Sequence, residues 1–505
     1  MSKIITGDAT PEHTAELCDT HDKIRYTTWP ATGHTAAPLG FGAYRVHVNL
    51  ETHRHALRKA LLNGVNVVDT SANYTDGGSE QLIGSVLQEC GKEGLPDREQ
   101  IILISKAGYI QGSNLSRLQQ MNPNGDAYPE IIHFQQGLSH CIHPDFIEDQ
   151  ITLSLERLQC ETIDFFLLHN PEYYLFDAHK KGMGMEESRR VYYDRIDRAF
   201  LQLEQEAQRG RIQYYGISSN TFTLNPAHYA YTDYDRLREL ARRIGKNNRF
   251  KMIQFPMNLM ETGAADDLLQ KGINDQVVTV SNRPLNAYFH NQLMRLVSLE
   301  LLEEDPEAEL KSRLKTLVEH EKKYLETVAP HLKTDPEKQK HLAGIFATGY
   351  YLASNYHKLT GYWNWLDQQA RFLADSVSYG VQEINNLKDI PESVSQWLDE
   401  YVERINAVLD QLTLYLGYHA AMLNNRIFNL AGQLLPRHLN TGLLQDIAVN
   451  ALRATAEVDV TLLGMRHPAY VDDAIEWLSQ EHPPLSLNKW RKWHKALKGL
   501  SISPS

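Results

Sequence analysis

The sequence predicts an α/β protein: a (β/α)8 barrel interrupted by an inserted all-helical subdomain. Three observations predict it. Between residues 38 and 290, seven short apolar, β-branched runs alternate with amphipathic stretches of helical period. No GxGxxG follows the first run, the glycine-rich turn expected of a doubly wound nucleotide-binding sheet. After a long stretch without strand pattern, DVTLLG restores the βα rhythm and supplies an eighth strand.

The seven runs are PLGFGAYRV, NVVDTS, QIILISKAG, TIDFFLLHN, IQYYGISSN, FKMIQFPMN and QVVTVSNRPL. Helical patterns separate them. In LETHRHALRKALLNG, the residues Leu50, His53, Leu57, Ala60 and Leu61 recur at helical spacing. Gly64 and Gly210 follow helical stretches, where a left-handed cap is easiest to build. From about 288 to 439 the pattern is helical with almost no strand signal. There Val394, Trp397, Leu398, Tyr401, Ile405, Val408 and Leu412 form one apolar stripe, and Ser393 with Gln396 reads as a capping box. Tyr350, Tyr351, Tyr356, Trp363, Trp365 and Phe372 read as core of that insertion. The expected organisation is therefore an N-terminal extension over 1–37, a barrel over 38–287 and 440–505, and the insertion over 288–439.

Composition narrows the function. Of 505 residues, 42% are hydrophobic and 23% charged, the balance of a globular protein with a sizeable core. The formal charge of -12 argues against nucleic acid, whose phosphates require a basic footprint. No apolar run approaches the roughly 18 residues of a membrane span, and the N-terminus shows no apolar signal segment. Cys18, Cys90, Cys141 and Cys160 form no CxxC pair, so reduced thiols and a cytoplasmic location are expected. No carboxylate or cysteine completes a metal site with His53 and His55, which read as part of a solvated helix face.

Four residues carry the chemistry. Asp69, Lys106 and His169 each stand where a strand-like run ends, and Tyr74 closes DTSANY. In a parallel barrel, catalytic side chains gather at the carboxyl ends of the strands. An acid, an amine, an imidazole and a phenol there make a proton-transfer site. Asp69 and Lys106 taken alone read better as a structural ion pair; the four residues together favour the functional reading.

At these positions the sequence resembles the aldo-keto reductase superfamily. DTSANYTDGGSEQLIG, ISKAG, DFFLLHNPE, YGISSN, IQFPMN and LLGMRHPAYVDDAI follow that family's order of motifs across about 38–287 and 440–478. The resemblance implies an aldo-keto reductase barrel and reduction of an aldehyde, ketone or sugar carbonyl by NADP(H), with NAD(H) as the alternative. It makes Tyr74 the general acid, with Lys106 lowering its pKa, Asp69 holding Lys106, and His169 donating a hydrogen bond to the substrate oxygen. It assigns Ser218, Ser219, Asn220 and Gln254 to the nicotinamide amide. Asn282 stands where an aromatic often stacks on the nicotinamide, and Arg283 beside it can reach phosphate. Gly464, Met465 and Arg466 form a phosphate-binding turn, with Asp473 at the adenine. Tyr470 and Ala474 depart from the family's arginine and asparagine there. Some family members act as nucleotide-bound regulatory subunits. The insertion is accordingly a candidate surface for self-association or a protein partner.

Overall fold

The computed structural model describes residues 4–289, 292–332, 334–359, 361–369, 374–387, 390–439 and 442–499. Eight parallel strands close into a barrel. They are β1 (Leu39–Gly42), β2 (Val67–Asp69), β3 (Ile102–Ala107) and β4 (Ile163–His169), then β5 (Ile212–Ser218), β6 (Phe250–Pro256), β7 (Val278–Asn282) and β8 (Val460–Leu463). Each pairs with its successor and β8 pairs with β1. All seven runs and the DVTLLG strand are present.

The helices after these strands are α1 (Glu51–Leu62), α2 (Gly78–Leu87), α3 (Pro144–Leu158), α4 (Met185–Gln208), α5 (Tyr234–Ile244), α6 (Leu268–Asn274), α7 (Leu444–Arg453) and α8 (Pro468–Ser479). Gly64 and Gly210 adopt φ of 86° and 75°, as a left-handed stop requires.

The strand pleat orders the interior. Val67, Ile102, Ile104, Phe165, Leu167, Met252, Val278, Val280, Val460 and Leu462 belong to one buried cluster. Side chains two residues apart share a face of a strand. Continuing that alternation by one step brings Asp69, Lys106, His169, Gln254 and Asn282 onto the same inward face. Ser218 follows Tyr214 and Gly216 in the same way. The apolar layers fill the barrel, and the polar residues form the layer above them.

The segment read as an N-terminal extension is part of this interior. Ala9, Trp29 and Ala36 join the same cluster, and Trp29 meets Phe165 edge-on at 6.0 Å. Asp164 accepts from the amides of Ala9 (2.7 Å) and Leu103 (2.6 Å) and from Arg98 (3.0 Å). The first residues of the chain thus close the amino-terminal end of the barrel.

Two glycines are fixed by close approach. A Cβ on Gly84 of α2 would lie 2.5 Å from the carbonyl oxygen of Arg157 in α3. One on Gly216 of β5 would lie 1.9 Å from that of Met252 in β6, beside a register shift between the two strands.

The chain divides into two compact units, the barrel and a second unit centred on residues 286–433. Among the described residues the second is helical apart from an antiparallel hairpin, Asn286–Phe289 with Gln292–Arg295, so the all-helical expectation is corrected at its start. Those strands, NAYF and QLMR, contain no β-branched residue and so lack the strand signal of the barrel runs. A 43-residue helix, Glu392–Leu434, dominates the unit. It begins before Ser393, which removes the expected capping box: Ser393 lies inside the first turn rather than at the cap. Its stripe is buried against Leu310, Leu314, Leu317 and Phe346. Trp397 stacks between His320 (4.8 Å) and Tyr401 (5.3 Å). Of the aromatic group read as core, Trp365 is buried, Tyr350 and Tyr351 are exposed, and Phe372 lies outside the described residues.

Candidate active site

The buried pair comes first. Lys106, fully inaccessible near the end of β3, donates to Asp69 Oδ1 (2.7 Å), Asp69 Oδ2 (2.8 Å) and the Thr70 carbonyl (2.6 Å). All three ammonium protons are used. Burial pulls the Lys106 pKa down and pushes that of Asp69 up, each shift resisted by the partner's charge. Asp69 Oδ2 also accepts from Gln254 Nε2 (2.8 Å). Gln254 Oε1 in turn accepts from Ser218 Oγ (2.9 Å) and Asn282 Nδ2 (3.3 Å). Ends of four strands, β2, β3, β5 and β6, and the last residue of β7 are thus tied into one polar network.

Tyr74 stands on a turn of unusual backbone. Thr75, Asp76 and Gly77 have φ of 48°, 58° and 84°. Each non-glycine residue so placed costs about 1–3 kcal/mol, and the surroundings must hold it. Thr75 Oγ1 donates to the Val46 carbonyl (2.6 Å), and Asp76 accepts from the Ser113 amide and hydroxyl (both 2.9 Å). The turn presents the Tyr74 ring edge-on to His169 at 5.8 Å and to Tyr44 at 5.2 Å. Lys106 Nζ lies 5.0 Å from its centroid.

The phenol pKa is moved up, by burial first, then by Asp69 and Tyr44. This corrects the expectation that Lys106 lowers it. The ammonium is already committed to Asp69 and Thr70, and burial is the largest cause of the upward shift.

His169 ends β4. Its Nδ1 lies 2.9 Å from Ser71 Oγ, and its carbonyl accepts from His140 Nε2 (2.8 Å). Burial and then the Lys106 charge hold its pKa well below the ordinary value, so the ring is neutral. Gly108, which follows β3, is forced by this packing: a Cβ would lie 2.5 Å from the His169 carbonyl oxygen. Tyr109 packs edge-on to His169 at 4.8 Å, and Tyr173 stacks on His140. The long connections after β3 and β4 carry these rings. The first also holds a helix, Gly112–Met121, and a small antiparallel sheet.

The remaining sequence candidates separate. Ser218, Gln254 and Asn282 join the network above. Ser219 turns instead to Thr221 (3.0 Å) and Thr232 (3.4 Å), and Asn220 gives its amide to Glu172 Oε1 (2.9 Å). Arg283, at φ 58°, pairs with Glu261 (2.9 Å). Gly464, Met465 and Arg466 lead from β8 into α8, whose cap is His467, with Met465 buried and Asp473 exposed. Burial and then Glu476, Asp446 and Asp472 raise the Asp473 carboxyl pKa.

Sequence reading missed Ser71, Thr70, His140 and Glu172. Ser71 sat in view within DTSANY. His140 and Glu172 carry no local signal, because their partners come from other strands. Glu172, buried, has its pKa pushed up to about 7, and its Oε2 has no partner.

The fold and site define a parallel eight-stranded barrel bearing a buried Lys–Asp pair, a phenol and an imidazole at its strand ends. Residues 38–286 match the model of the Aldo/keto reductase family, and this part of the chain belongs to that family. The chain is 26% identical over 155 residues to the aldo-keto reductase YhdN of Bacillus subtilis, a match covering 30% of this chain and 39% of that protein. It is 22% identical over 235 residues to the NAD(P)H-dependent D-xylose reductase of Scheffersomyces stipitis, covering 42% and 63%. It thus spans less than two thirds of these relatives. The holo aldo-keto reductase AKR11C1 of Bacillus halodurans aligns over 94% of this chain and 96% of its own, at 16% identity and a TM-score of 0.48.

Proposed function

We propose that the protein reversibly reduces an aldehyde, ketone or sugar carbonyl to an alcohol with a nicotinamide cofactor, NADP(H) before NAD(H). The observation that carries this reading is the single inward layer that joins Lys106, Asp69, Gln254, Ser218 and Asn282 beside Tyr74 and His169. A structural ion pair needs Lys106 and Asp69 alone. It does not account for a phenol on a strained turn facing a neutral imidazole.

The residues suit the cofactor. Asn282 Oδ1 is buried without a hydrogen-bond partner beside Gln254 and Ser218. An orphaned buried acceptor calls for a donor, and a carboxamide offers one. Ser218, Gln254 and Asn282 would hold that amide, and Gly464, Met465 and Arg466, before α8, would hold phosphate. When bound, a reduced nicotinamide supplies hydride to the carbonyl carbon. The relative named for D-xylose supports a carbonyl or sugar substrate.

The protein's part is the proton. Tyr74, its pKa raised, stays a phenol at neutral pH and donates to the carbonyl oxygen as negative charge builds there. The Lys106 charge near its ring eases the phenolate that donation leaves behind. A neutral His169 orients the same oxygen. The arrangement favours reduction at neutral pH; alcohol oxidation needs a phenolate and gains from alkaline pH.

The test is fluorescence titration with NADPH and NADH, then addition of reactive aldehydes and sugars. Consumption of the reduced cofactor is expected, and Tyr74→Phe is expected to abolish it while binding cofactor like the parent. Binding without consumption across the panel would refute the reductase reading and favour a nucleotide-bound regulatory role. Unchanged turnover in Tyr74→Phe would refute the assigned proton donor.

A further inference from the structure

Ser71 Oγ is buried and has three polar neighbours: Asn73 Oδ1 at 2.7 Å, His169 Nδ1 at 2.9 Å and the Lys106 carbonyl oxygen at 3.1 Å. A hydroxyl has one proton to give. The Lys106 carbonyl can only accept, and it already takes the Ala72 amide (2.9 Å). Asn73 Oδ1 can likewise only accept. The ring of His169 is neutral, so one nitrogen carries the proton and the other a lone pair. The hydrogen bond at Nδ1 therefore decides what Nε2 can do.

We propose that Ser71 and Asn73 set the tautomer of His169, and with it the direction in which His169 serves the reaction. This rests on the reductase reading above. With Asn73 Oδ1 facing Ser71, the hydroxyl donates to Asn73 and receives Nδ1–H. Nε2 then carries a lone pair and accepts, which suits an alcohol hydroxyl. With the Asn73 amide turned over, Nδ2–H donates to Ser71, and the Ser71 proton goes to His169 Nδ1. Nε2 then carries the ring proton and donates, which suits a carbonyl oxygen. The two states hold the same number of protons and differ only in where the ring proton and the amide stand.

The surroundings allow the exchange. Among the described residues, Asn73 Nδ2 makes no protein hydrogen bond, so turning the amide exchanges the Oδ1 bond with Ser71 for one from Nδ2 and breaks no other. Asn73 also lines a cavity of ≈ 20 Å³ with Asp76, Tyr109, Gln111 and Ser113, room for about one water. His169 Nε2 likewise has no protein partner among the described residues. Ser71 acts here through His169, as a positioning residue.

The experiment uses the full chain labelled with 15N-histidine, the His169 signals being those lost in His169→Gln. The free protein is expected to show a protonated Nδ1. Asn73→Asp, which can only accept from Ser71, is expected to keep that state with substrate present, while the parent moves toward protonated Nε2. In Ser71→Ala the preference is expected to disappear. Carbonyl reduction by Ser71→Ala should fall about tenfold in kcat, the scale of one lost hydrogen bond, with cofactor affinity unchanged. Ser71→Thr, which keeps the hydroxyl, should recover most of it. Unaltered His169 signals in Ser71→Ala would overturn the proposal, and so would a Thr variant as slow as the Ala variant. If the parent reduces no carbonyl, the reductase reading fails, and the His169 signals alone still decide whether Ser71 sets the tautomer.

Discussion

Replacing Lys106 with Met isolates what the buried pair contributes. The side chain is inaccessible and makes three hydrogen bonds of 2.6–2.8 Å, two of them to Asp69. Methionine fills nearly the same volume, so the loss is electrostatic. Asp69 is left in the interior with only Gln254 to donate to it. Breaking such a pair from one side costs about 3–5 kcal/mol. The cost depends on pH, and its sign follows from Asp69. Burial already raises that carboxyl, and without Lys106 nothing but Gln254 opposes the rise. The folded variant then binds a proton more tightly than its unfolded chain, so its stability falls as pH climbs from the ordinary carboxylate range through the raised value. The penalty relative to the parent should be several kcal/mol at pH 8 and smaller at pH 5. Asp69→Asn with Lys106→Met removes the stranded charge and should recover much of the loss. The assay is denaturant-dependent hydrogen exchange read on peptides from β2 and β3, which reports the barrel and not the second unit. A penalty below about 1 kcal/mol, the range of solvated pairs, or one that does not change between pH 5 and 8, would refute the reasoning.

Glu172 gives a second pH signature. Its folded pKa of about 7 stands above the ordinary 4.5, so its stabilising contribution is complete below pH 4.5 and is lost as pH rises through 7. Glu172→Gln should flatten the melting temperature over that window, as thermal unfolding across pH would show. Gly216→Ala places a methyl against the Met252 carbonyl and should destabilise the barrel by at least about 2 kcal/mol, with a loss of cofactor affinity measurable by titration. Trp397→Ala should cost the second unit about 3–5 kcal/mol while leaving exchange in the barrel strands unchanged.

Period and strand ends made the barrel legible. A run such as IILISKA carries its own alternation, and the inward parity that buries Ile102 and Ile104 delivers Lys106 to the site. DTSANYTDGGSEQLIG was readable because one stretch holds both the tyrosine and its scaffold: Ser79 bonds Thr70 (2.8 Å), and Glu80 bonds Ser105 (2.5 Å) and Arg157 (2.6 Å). What stayed hidden depends on partners far along the chain. Nothing local marks His140 as the donor to the His169 carbonyl, and SSN alone does not say which serine meets Gln254. Trp29 gave no sign of filling a barrel, because its burial is decided by Phe165 and the other inward residues. The direction of the Tyr74 shift was also illegible, since it depends on burial and on all three Lys106 protons being spent elsewhere.

One oxygen ties the chemistry together. Asp69 Oδ2 accepts hydrogen bonds from Lys106 and Gln254, and Gln254 Oε1 accepts from Ser218 and Asn282. A group seated against Ser218 and Asn282 therefore acts on the same carboxylate that holds the Lys106 charge under the Tyr74 ring. The network leaves Asn282 Oδ1 unpaired until such a group arrives. Satisfying that acceptor also draws on the Gln254 and Asp69 hydrogen bonds. On the proposed reading, cofactor placement and phenol acidity are thereby coupled through four hydrogen bonds of 2.8–3.3 Å. A variant at Gln254 should change both together, whereas one at Arg466, outside this network, should change cofactor affinity alone.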